Sequence, residues 1–180
     1  MIIKGKRGVV RPTLWALFAA ALLMGSAVAA EAQTTVILVR HAEKADAPAN
    51  DPPLTDAGRK RAERLAEYLH DAKISVVYTT PYARTRETAA PLVDAGKLKL
   101  VETAYAGGAD VFAKQVADRI RKDNVGQTVL VVGHSNTTPA VVKALTGVEV
   151  PAIPDTEYSN LFVVTISADG KTTSLVRAKY

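Results

Sequence analysis

The stretch TTVILVRHAEKAD, residues 34–46, runs from an apolar segment directly into a cation and an imidazole. Its β-branched and aliphatic residues, Thr35–Val39, are typical of a strand that is buried on both faces. Arg40 and His41 follow that strand immediately. Because ligands of open α/β sheets bind beyond the carboxyl ends of the strands, this stretch predicts both a fold class and the position of a site.

The first 32 residues have the three parts of a secretory signal peptide. Four basic residues precede an uncharged run, residues 12–30, and small residues at 27–29 or 30–32 offer a cleavage site. The competing interpretation is an uncleaved membrane anchor, because the run approaches the ~17 to 25 residues that can span a bilayer. We expect a signal peptide over residues 1–32, a single domain over residues 33–180, and a periplasmic or secreted protein without stable membrane association after cleavage.

Composition excludes several classes of protein. The chain has 180 residues and a formal net charge of +5, but residues 1–32 hold four of its 23 Lys and Arg and one of its 18 Asp and Glu. The remaining residues carry a net charge of only +2, which gives no reason to expect nucleic acid as a partner. There is no cysteine, which excludes disulfides, thiolate metal sites and a cysteine nucleophile.

Strand and helix patterns alternate along residues 33–180, which predicts an α/β fold. We expect a three-layer sandwich in which a mostly parallel central sheet is flanked by helices on both faces. The apolar run Thr128–Val132 is predicted to be a central strand. The other predicted strands are 35–39, 74–79, 97–102 and a closing hairpin of 161–167 and 172–178; the predicted helices are 54–72 with Thr55 as N-cap, 81–95 with Pro81 in its first turn, 110–122 with Val111, Phe112, Val116 and Ile120 inward, and 138–145.

Polar side chains gather at the ends of these predicted strands. Arg40 and His41 follow the first strand, and Arg84 lies just beyond the second. Glu102 ends the third strand, and His134 follows the fourth. Each residue alone would be unremarkable, since an Arg is usually solvated and a lone His is more often structural. Their convergence on one edge of the sheet predicts a catalytic site.

The chemistry suited to this set is phosphoryl transfer. Two guanidinium forks, Arg40 and Arg84, can hold phosphoryl oxygens bidentately, which Lys cannot do with the same geometry. Nearby cations disfavour the imidazolium, so a neutral His41 is the predicted in-line nucleophile. His134 would hydrogen-bond the same phosphoryl oxygens. A carboxylic acid, for which Glu102 is best placed, would protonate the leaving alkoxide and then activate water.

Further residues are predicted to bind the substrate. The free amides of Ser135 to Thr138, where the fourth strand meets the next helix, are predicted to form an anion site. Glu43 and Lys44 can contact the substrate at the rim of the pocket, although a plain surface pair explains them equally well. Tyr158 and Asn160 can line the pocket, or they can simply pack at the start of a strand.

Four spaced segments resemble the histidine phosphatase superfamily, in the phosphoglycerate mutase-like branch with an Arg-His-Gly signature. They are LVRHAEKAD, LTDAGRKRAERLAEYL, VVYTTPYARTRETAAPL and TVLVVGHSNT, in the family's order. The resemblance covers about residues 35–145, with a weaker match at EYSNLFVVT. It implies the fold predicted above and a small exported member of the family that acts as a phosphatase. It also implies a phosphorylated histidine at His41, a phosphate pocket of Arg40, Arg84 and His134, and a proton donor at Glu102.

The chain departs from the family pattern at three places. Ala42 and Ser135 stand where many members have Gly; both are small, so they affect the approach of the backbone more than the reaction. The loop after Glu102 lacks the usual Gly-Trp-Glu-Gly continuation, which leaves Asp110 and Glu43 as alternatives for the proton donor.

The same residues also fit two other kinds of site. GHSNT is close to a G-x-S-x-G nucleophile elbow, but that arrangement needs a later His and none follows His134. His41, Glu43 and His134 could hold a metal, yet two adjacent Arg would repel the ion, so we expect neither metal nor cofactor. A non-catalytic periplasmic protein that binds phosphate or another anion is the main alternative to an enzyme.

The acceptor of the phosphoryl group separates a phosphatase from a mutase-like phosphotransferase. Mutases of the family carry long insertions between these motifs, for which this chain has no room, so we expect water to be the acceptor. Export points to a small phosphorylated substrate of the cell envelope. An envelope sugar phosphate is one example, by analogy with short exported members that act on lipopolysaccharide heptose phosphate.

Overall fold

A computed structural model describes residues 33–180, and the predicted leader, residues 1–32, lies outside the described residues. The described chain forms one six-stranded sheet. Its strands are β1 (Thr34–Arg40), β2 (Ile74–Thr79), β3 (Lys99–Glu102), β4 (Thr128–Gly133), β5 (Asn160–Ile166) and β6 (Thr173–Lys179).

The strands lie in the order β3-β2-β4-β1-β5-β6. The four strands from β3 to β1 are parallel, while β5 runs antiparallel to β1 and β6 antiparallel to β5. This arrangement confirms the mostly parallel sheet, the interior position of β4 and the closing hairpin.

Four helices cover the two faces of the sheet. They are α1 (Asp56–Tyr68), α2 (Ala83–Gly96), α3 (Gly108–Asp123) and α4 (Thr137–Thr146). Alternate strand residues pack to opposite faces: Val39 packs with α1 and α2, and Leu38 packs with α3 and α4. The predicted three-layer α/β sandwich is therefore confirmed. Within residues 33–180, no helix is both long and apolar enough to cross a membrane.

Local sequence signals predicted the start of two helices, and one of these predictions holds. The hydroxyl of Thr55 accepts a hydrogen bond from the Gly58 amide at 3.0 Å, which confirms Thr55 as the N-cap of α1. The prediction for Pro81 was wrong, because Tyr82 is the N-cap of α2 and the proline precedes it.

One residue predicted to face inward does not. Val111 in the first turn of α3 is 42% exposed, whereas Phe112, Val116 and Ile120 are fully buried. These three residues recur every four positions and define the buried stripe of α3. Val111 lies to one side of that stripe, and the small Ala113 and Ala117 extend it on the other side.

The neighbouring carboxyl ends of β1 and β4 position the site. The amide of His41 donates to the carbonyl oxygen of Gly133 at 2.9 Å, which continues the ladder one residue beyond β1. A Cβ atom at Gly133 would lie 2.6 Å from Oγ1 of Thr137, so only glycine fits where β4 meets α4. The first residues beyond the two strands, His41 and His134, therefore lie side by side.

Candidate active site

The structure brings the two histidines together at the carboxyl edge of the sheet. The ring centroids of His41 and His134 are 5.3 Å apart, and the planes are inclined by 68°. Both residues are buried, with 3% and 7% of their surface exposed. Arg40 precedes His41, and Arg84 in the first turn of α2 is close enough to influence the charge of both imidazoles.

His41 is held as a neutral imidazole with a defined tautomer. Its Nδ1 lies 2.7 Å from the carbonyl oxygen of Ala42. Because a carbonyl can only accept, Nδ1 carries the proton and Nε2 keeps its lone pair. Burial, with a smaller contribution from the positive charges of Arg40, Arg84 and Lys44, lowers the pKa of His41 to about 4. At neutral pH, Nε2 is thus available as a nucleophile.

His134 is also neutral and is fixed by hydroxyl groups. Its backbone amide donates to Oγ1 of Thr137 at 2.7 Å, and its Nε2 lies 2.9 Å from Oγ1 of Thr80. Burial is the main cause that lowers the pKa of His134 to about 3, and the charge of Arg84 adds to it. Sequence reasoning missed Thr80, although it directly follows β2 and so obeys the strand-end rule that located the other residues.

The terminal nitrogens of Arg40 donate hydrogen bonds to residues 154–157. We call this segment the 154–157 loop. Nη1 donates to the carbonyl oxygens of Pro154 at 2.6 Å and Glu157 at 3.3 Å, and Nη2 donates to Asp155 Oδ1 at 2.9 Å. The guanidinium carbon lies 4.6 Å from the ring centroid of Tyr158. The buried Nε has no hydrogen-bond partner among the described residues. The role of Arg40 in phosphate binding stays a prediction, for which Nε and the second N–H of Nη2 are the remaining donors.

Arg84 is held more loosely. Its guanidinium carbon lies 4.4 Å from the ring centroid of Tyr82, and Nη1 is 3.9 Å from Asp51 Oδ1. Burial lowers the pKa of Arg84 from its usual value, against the attraction of Asp51. These contacts are a cation–π contact and a long ion pair, so the donors of the guanidinium fork remain available to an anion.

Three tyrosines surround the paired imidazoles. Tyr82 and Tyr105 lie 5.5 and 5.8 Å from the ring of His134, and Tyr158 lies 6.3 Å from the ring of His41. The position of Tyr158 agrees with its predicted place at the pocket. Tyr82 could have been recognised from the strand-end rule, but Tyr105 lies in the loop before α3, where no periodic pattern fixes a position.

The predicted proton donors are exposed or already paired. Glu102 ends β3, is exposed, and lies 3.7 Å from Nη1 of Arg86. Asp110 is exposed in the first turn of α3. Glu43 accepts hydrogen bonds from Arg61 at 2.6 to 3.0 Å, and these bonds hold the pKa of its carboxyl below the usual value.

The remaining predicted contacts are placed as follows. Lys44 is exposed and forms an isolated bridge with Leu54. Ser135 is half-buried, and its carbonyl oxygen accepts from the amide of Ile153 at 3.0 Å. Asn160 donates to Glu157 at 2.9 Å, so its side chain contacts the end of the 154–157 loop. Substrate contacts by these residues stay predictions.

The rival metal site would use His41, Glu43 and His134. Within residues 33–180, no group of three or more His, Asp or Glu side chains is arranged to hold an ion. Glu43, the carboxylate of that alternative, is bound by Arg61 instead.

This geometry agrees with what comparison with known proteins shows. The family model of the histidine phosphatase superfamily, branch 1, matches residues 36–104 and 113–180. The chain therefore belongs to the histidine phosphatase superfamily, and it is a phosphatase.

Individual relatives match this chain at low sequence identity. Phosphoserine phosphatase 1 of Hydrogenobacter thermophilus is 27% identical over 162 residues, which is 63% of this chain and 77% of the relative. A SixA structure from Agrobacterium tumefaciens is 25% identical with a TM-score of 0.58, covering 74% of this chain and 92% of its own.

Two further structures share the fold. The protein histidine phosphatase SixA in complex with tungstate is 22% identical with a TM-score of 0.61, covering 81% of this chain and 96% of its own. Bacillus stearothermophilus YhfR is 18% identical with a TM-score of 0.62, covering 79% and 95%.

Proposed function

We propose that this phosphatase hydrolyses a small phosphate monoester through a covalent phosphohistidine at His41. In the first step, Nε2 of His41 attacks phosphorus, the bond from phosphorus to the ester oxygen breaks, and the departing oxygen takes a proton from a carboxylic acid. In the second step, water attacks phosphorus and gives a proton to the same carboxylate, the bond between phosphorus and Nε2 of His41 breaks, and inorganic phosphate and a free imidazole result.

One observation carries this proposal: Nε2 of His41 keeps its lone pair inside a buried, positively charged site. The contact of Nδ1 with the Ala42 carbonyl fixes the tautomer, and the pKa of about 4 keeps the ring neutral. An anion-binding protein would gain more from a charged imidazole, because it needs charge and donors rather than a lone pair. The state of His41 therefore favours catalysis over simple binding of phosphate.

We assign the proton donor to Glu102. Of the three candidates it alone lies at the carboxyl end of a strand of the sheet. The loop that follows it carries Tyr105 to 5.8 Å from the ring of His134, so this segment reaches the site. Glu43 is a poorer acid because its bonds with Arg61 favour the carboxylate.

The first test is chemical trapping. The protein is allowed to react with radiolabelled p-nitrophenyl phosphate, and the reaction is quenched rapidly without acid. The label should then be stable to base, labile to acid and located on His41. His41→Ala should abolish both labelling and turnover. His134→Ala should slow labelling without removing the attachment site, and exposed His70→Ala serves as the matched control. A label on Ser135 or on any other residue would exclude this mechanism.

The leaving group tests the proton donor. Glu102→Gln should slow hydrolysis of an alkyl phosphate by about 10² to 10⁴-fold, because a poorly leaving alkoxide needs a proton. Hydrolysis of p-nitrophenyl phosphate should change far less, since nitrophenolate leaves without one. Asp110→Asn is the matched control, and a selective loss in that variant instead would move the role to Asp110.

We further propose that the enzyme works in the cell envelope on an envelope phosphate monoester, such as a sugar phosphate. The basic start, apolar run and small residues of 1–32 support export with cleavage between Ala29 and Gln33. Mass spectrometry of the protein recovered from cells should find a new N-terminus in this interval. A chain that still begins at Met1 would contradict cleavage and favour a membrane-anchored enzyme.

A further inference from the structure

A buried hydroxyl holds one ring nitrogen of His134. Oγ1 of Thr80 lies 2.9 Å from Nε2 of His134 and also 2.9 Å from Oγ1 of Thr85. Thr80 and Thr85 have no exposed surface, so water does not compete for these bonds. The three side chains thus form a hydrogen-bonded chain from the imidazole into the first turn of α2.

This hydrogen-bonded chain ends at backbone carbonyl oxygens, which can only accept hydrogen bonds. Oγ1 of Thr85 lies 2.9 Å from the carbonyl oxygen of Thr80 and 2.9 Å from that of Tyr82. A hydroxyl has one proton to donate and a carbonyl has none. If Thr85 donates to a carbonyl, Thr80 donates to Thr85, and the bond with His134 is made by a proton on Nε2.

We propose that Thr80, supported by Thr85, is a positioning residue for His134. Its hydroxyl fixes the rotation of the imidazole and keeps the proton of the neutral ring on Nε2, so that Nδ1 is the nitrogen presented to the phosphoryl group. A bond between Nδ1 and a phosphoryl oxygen then needs one proton on that oxygen or on Nδ1 itself. The catalytic part of this proposal rests on the proposed function, whereas the hydrogen-bonded chain does not depend on turnover.

The neighbouring Thr79 provides a matched control. Thr79 is equally buried, and its Oγ1 has no hydrogen-bond partner among the described residues. Replacing either threonine by valine makes the same chemical change, but only Thr80→Val removes a contact with His134. We expect Thr80→Val to lower kcat and kcat/KM together by about tenfold, the factor that corresponds to one hydrogen bond. Thr80→Ser should restore activity, and Thr79→Val should stay within about twofold of the wild type.

Nitrogen-15 NMR of the imidazoles tests the hydrogen-bonded chain from His134 to Thr85 without any substrate. We expect the proton of His134 on Nε2 in the wild type. In Thr85→Val the hydroxyl of Thr80 loses its acceptor and turns towards Nε2, so the fraction of His134 with the proton on Nδ1 should rise. A wild-type proton on Nδ1, or an unchanged spectrum in Thr85→Val, would overturn the proposal. Thr85→Val also keeps the test decisive if Thr80→Val does not fold.

The two proposals fail separately. If no phosphohistidine is trapped while the tautomer shifts as expected, the proposed function is wrong and the chain from His134 to Thr85 stands. If His41 is labelled but Thr80→Val is as active as Thr79→Val, the positioning role of Thr80 is wrong and the covalent mechanism stands.

Discussion

The β1 side and the β2 side of the site hold their arginines in different ways. On the β1 side, the side chain of Arg40 is 4% exposed and makes three hydrogen bonds of 2.6 to 3.3 Å with the 154–157 loop. On the β2 side, the side chain of Arg84 is 17% exposed and has one ion pair at 3.9 Å beside its stacking on Tyr82. Two residues of the same type thus have different partners before any substrate arrives.

This difference separates a structural task from a ligand-binding task. Arg40 joins the end of β1 to a loop that lies 114 to 117 residues later in the sequence. Removing its guanidinium would break the three hydrogen bonds that join the end of β1 to this loop, which costs stability. Arg84 satisfies few protein acceptors, so its fork is better suited to hold the oxygens of a phosphoryl group.

Replacing each of the two arginines by lysine, in separate variants, should show the largest effect. These variants test whether Arg40 and Arg84 differ as described. Arg84→Lys keeps the charge but loses the parallel donors, so we expect a loss on the order of 2 to 4 kcal/mol in transition-state stabilisation with unchanged thermal stability. Arg40→Lys should lower both activity and Tm. Kinetics and calorimetry on the two variants check this, and a Tm that falls only in Arg84→Lys would reverse the assignment.

The pH dependence of stability tests the two buried neutral histidines of the site. The pKa of His41 is about 4 in the folded protein against 6.5 for an ordinary histidine, and that of His134 is about 3. The unfolded chain therefore binds more protons, and stability should fall as the pH drops from about 6.5 towards 4, on the order of 3 kcal/mol for His41 once fully titrated.

Urea unfolding between pH 4 and pH 7 measures this effect. His41→Ala should have a visibly flatter dependence than the wild type, while His70→Ala should keep the full slope because that side chain is 80% exposed. Equal slopes in all three proteins would mean that His41 is not buried as a neutral ring.

A smaller effect is expected where α1 approaches the β1 side. A methyl group at Gly58 would collide with the carbonyl oxygen of Glu43, a backbone atom that cannot move aside cheaply. Gly58→Ala should therefore lower the free energy of unfolding by about 1 to 3 kcal/mol, although alanine is otherwise the better helix former. Ala57→Gly is a control at an exposed neighbour, and a Gly58→Ala protein as stable as the wild type would show that this approach is looser than described.

The smallest effect should come from the charged contact of Arg40. The carboxylate of Asp155 is 91% exposed, so Asp155→Asn should change the free energy of unfolding by less than about 1 kcal/mol. A larger loss would mean that the ion pair, rather than the carbonyl oxygens of Pro154 and Glu157, fixes Arg40. Denaturant unfolding in low and high salt separates these two contributions, because an exposed ion pair is screened.

Much of the fold follows from periodic patterns in the sequence. The apolar run of β4 predicted an interior strand, and the alternation of strands and helices predicted the parallel sheet. Thr55 was recognised as a cap because its hydroxyl acts within one helical turn. Such features depend on neighbours in the sequence, which is why they can be predicted from a single chain.

The contacts that finish the site depend on distant segments. The 154–157 loop and the position of Tyr105 follow no period, so no pattern predicted that Asp155 would contact Arg40 or that Tyr105 would lie near His134. Val111 was misplaced because the small alanines beside Phe112 shift the buried stripe of α3. The edge of the sheet where the site lies was predictable, whereas the partners of each side chain there were not.

The strand order also determines when the nucleophile can be fixed during folding. β1 lies between β4 and β5, so both of its ladders join residues 34–40 to segments about 90 to 130 positions later. Pairings over such separations are slow to form because a long loop must close first. The first strand to be synthesised thus acquires its neighbours only when residues up to Ile166 are available. An unfinished chain has both Arg40 and His41 but lacks β5, so the nucleophile has no complete pocket until the last strands pair.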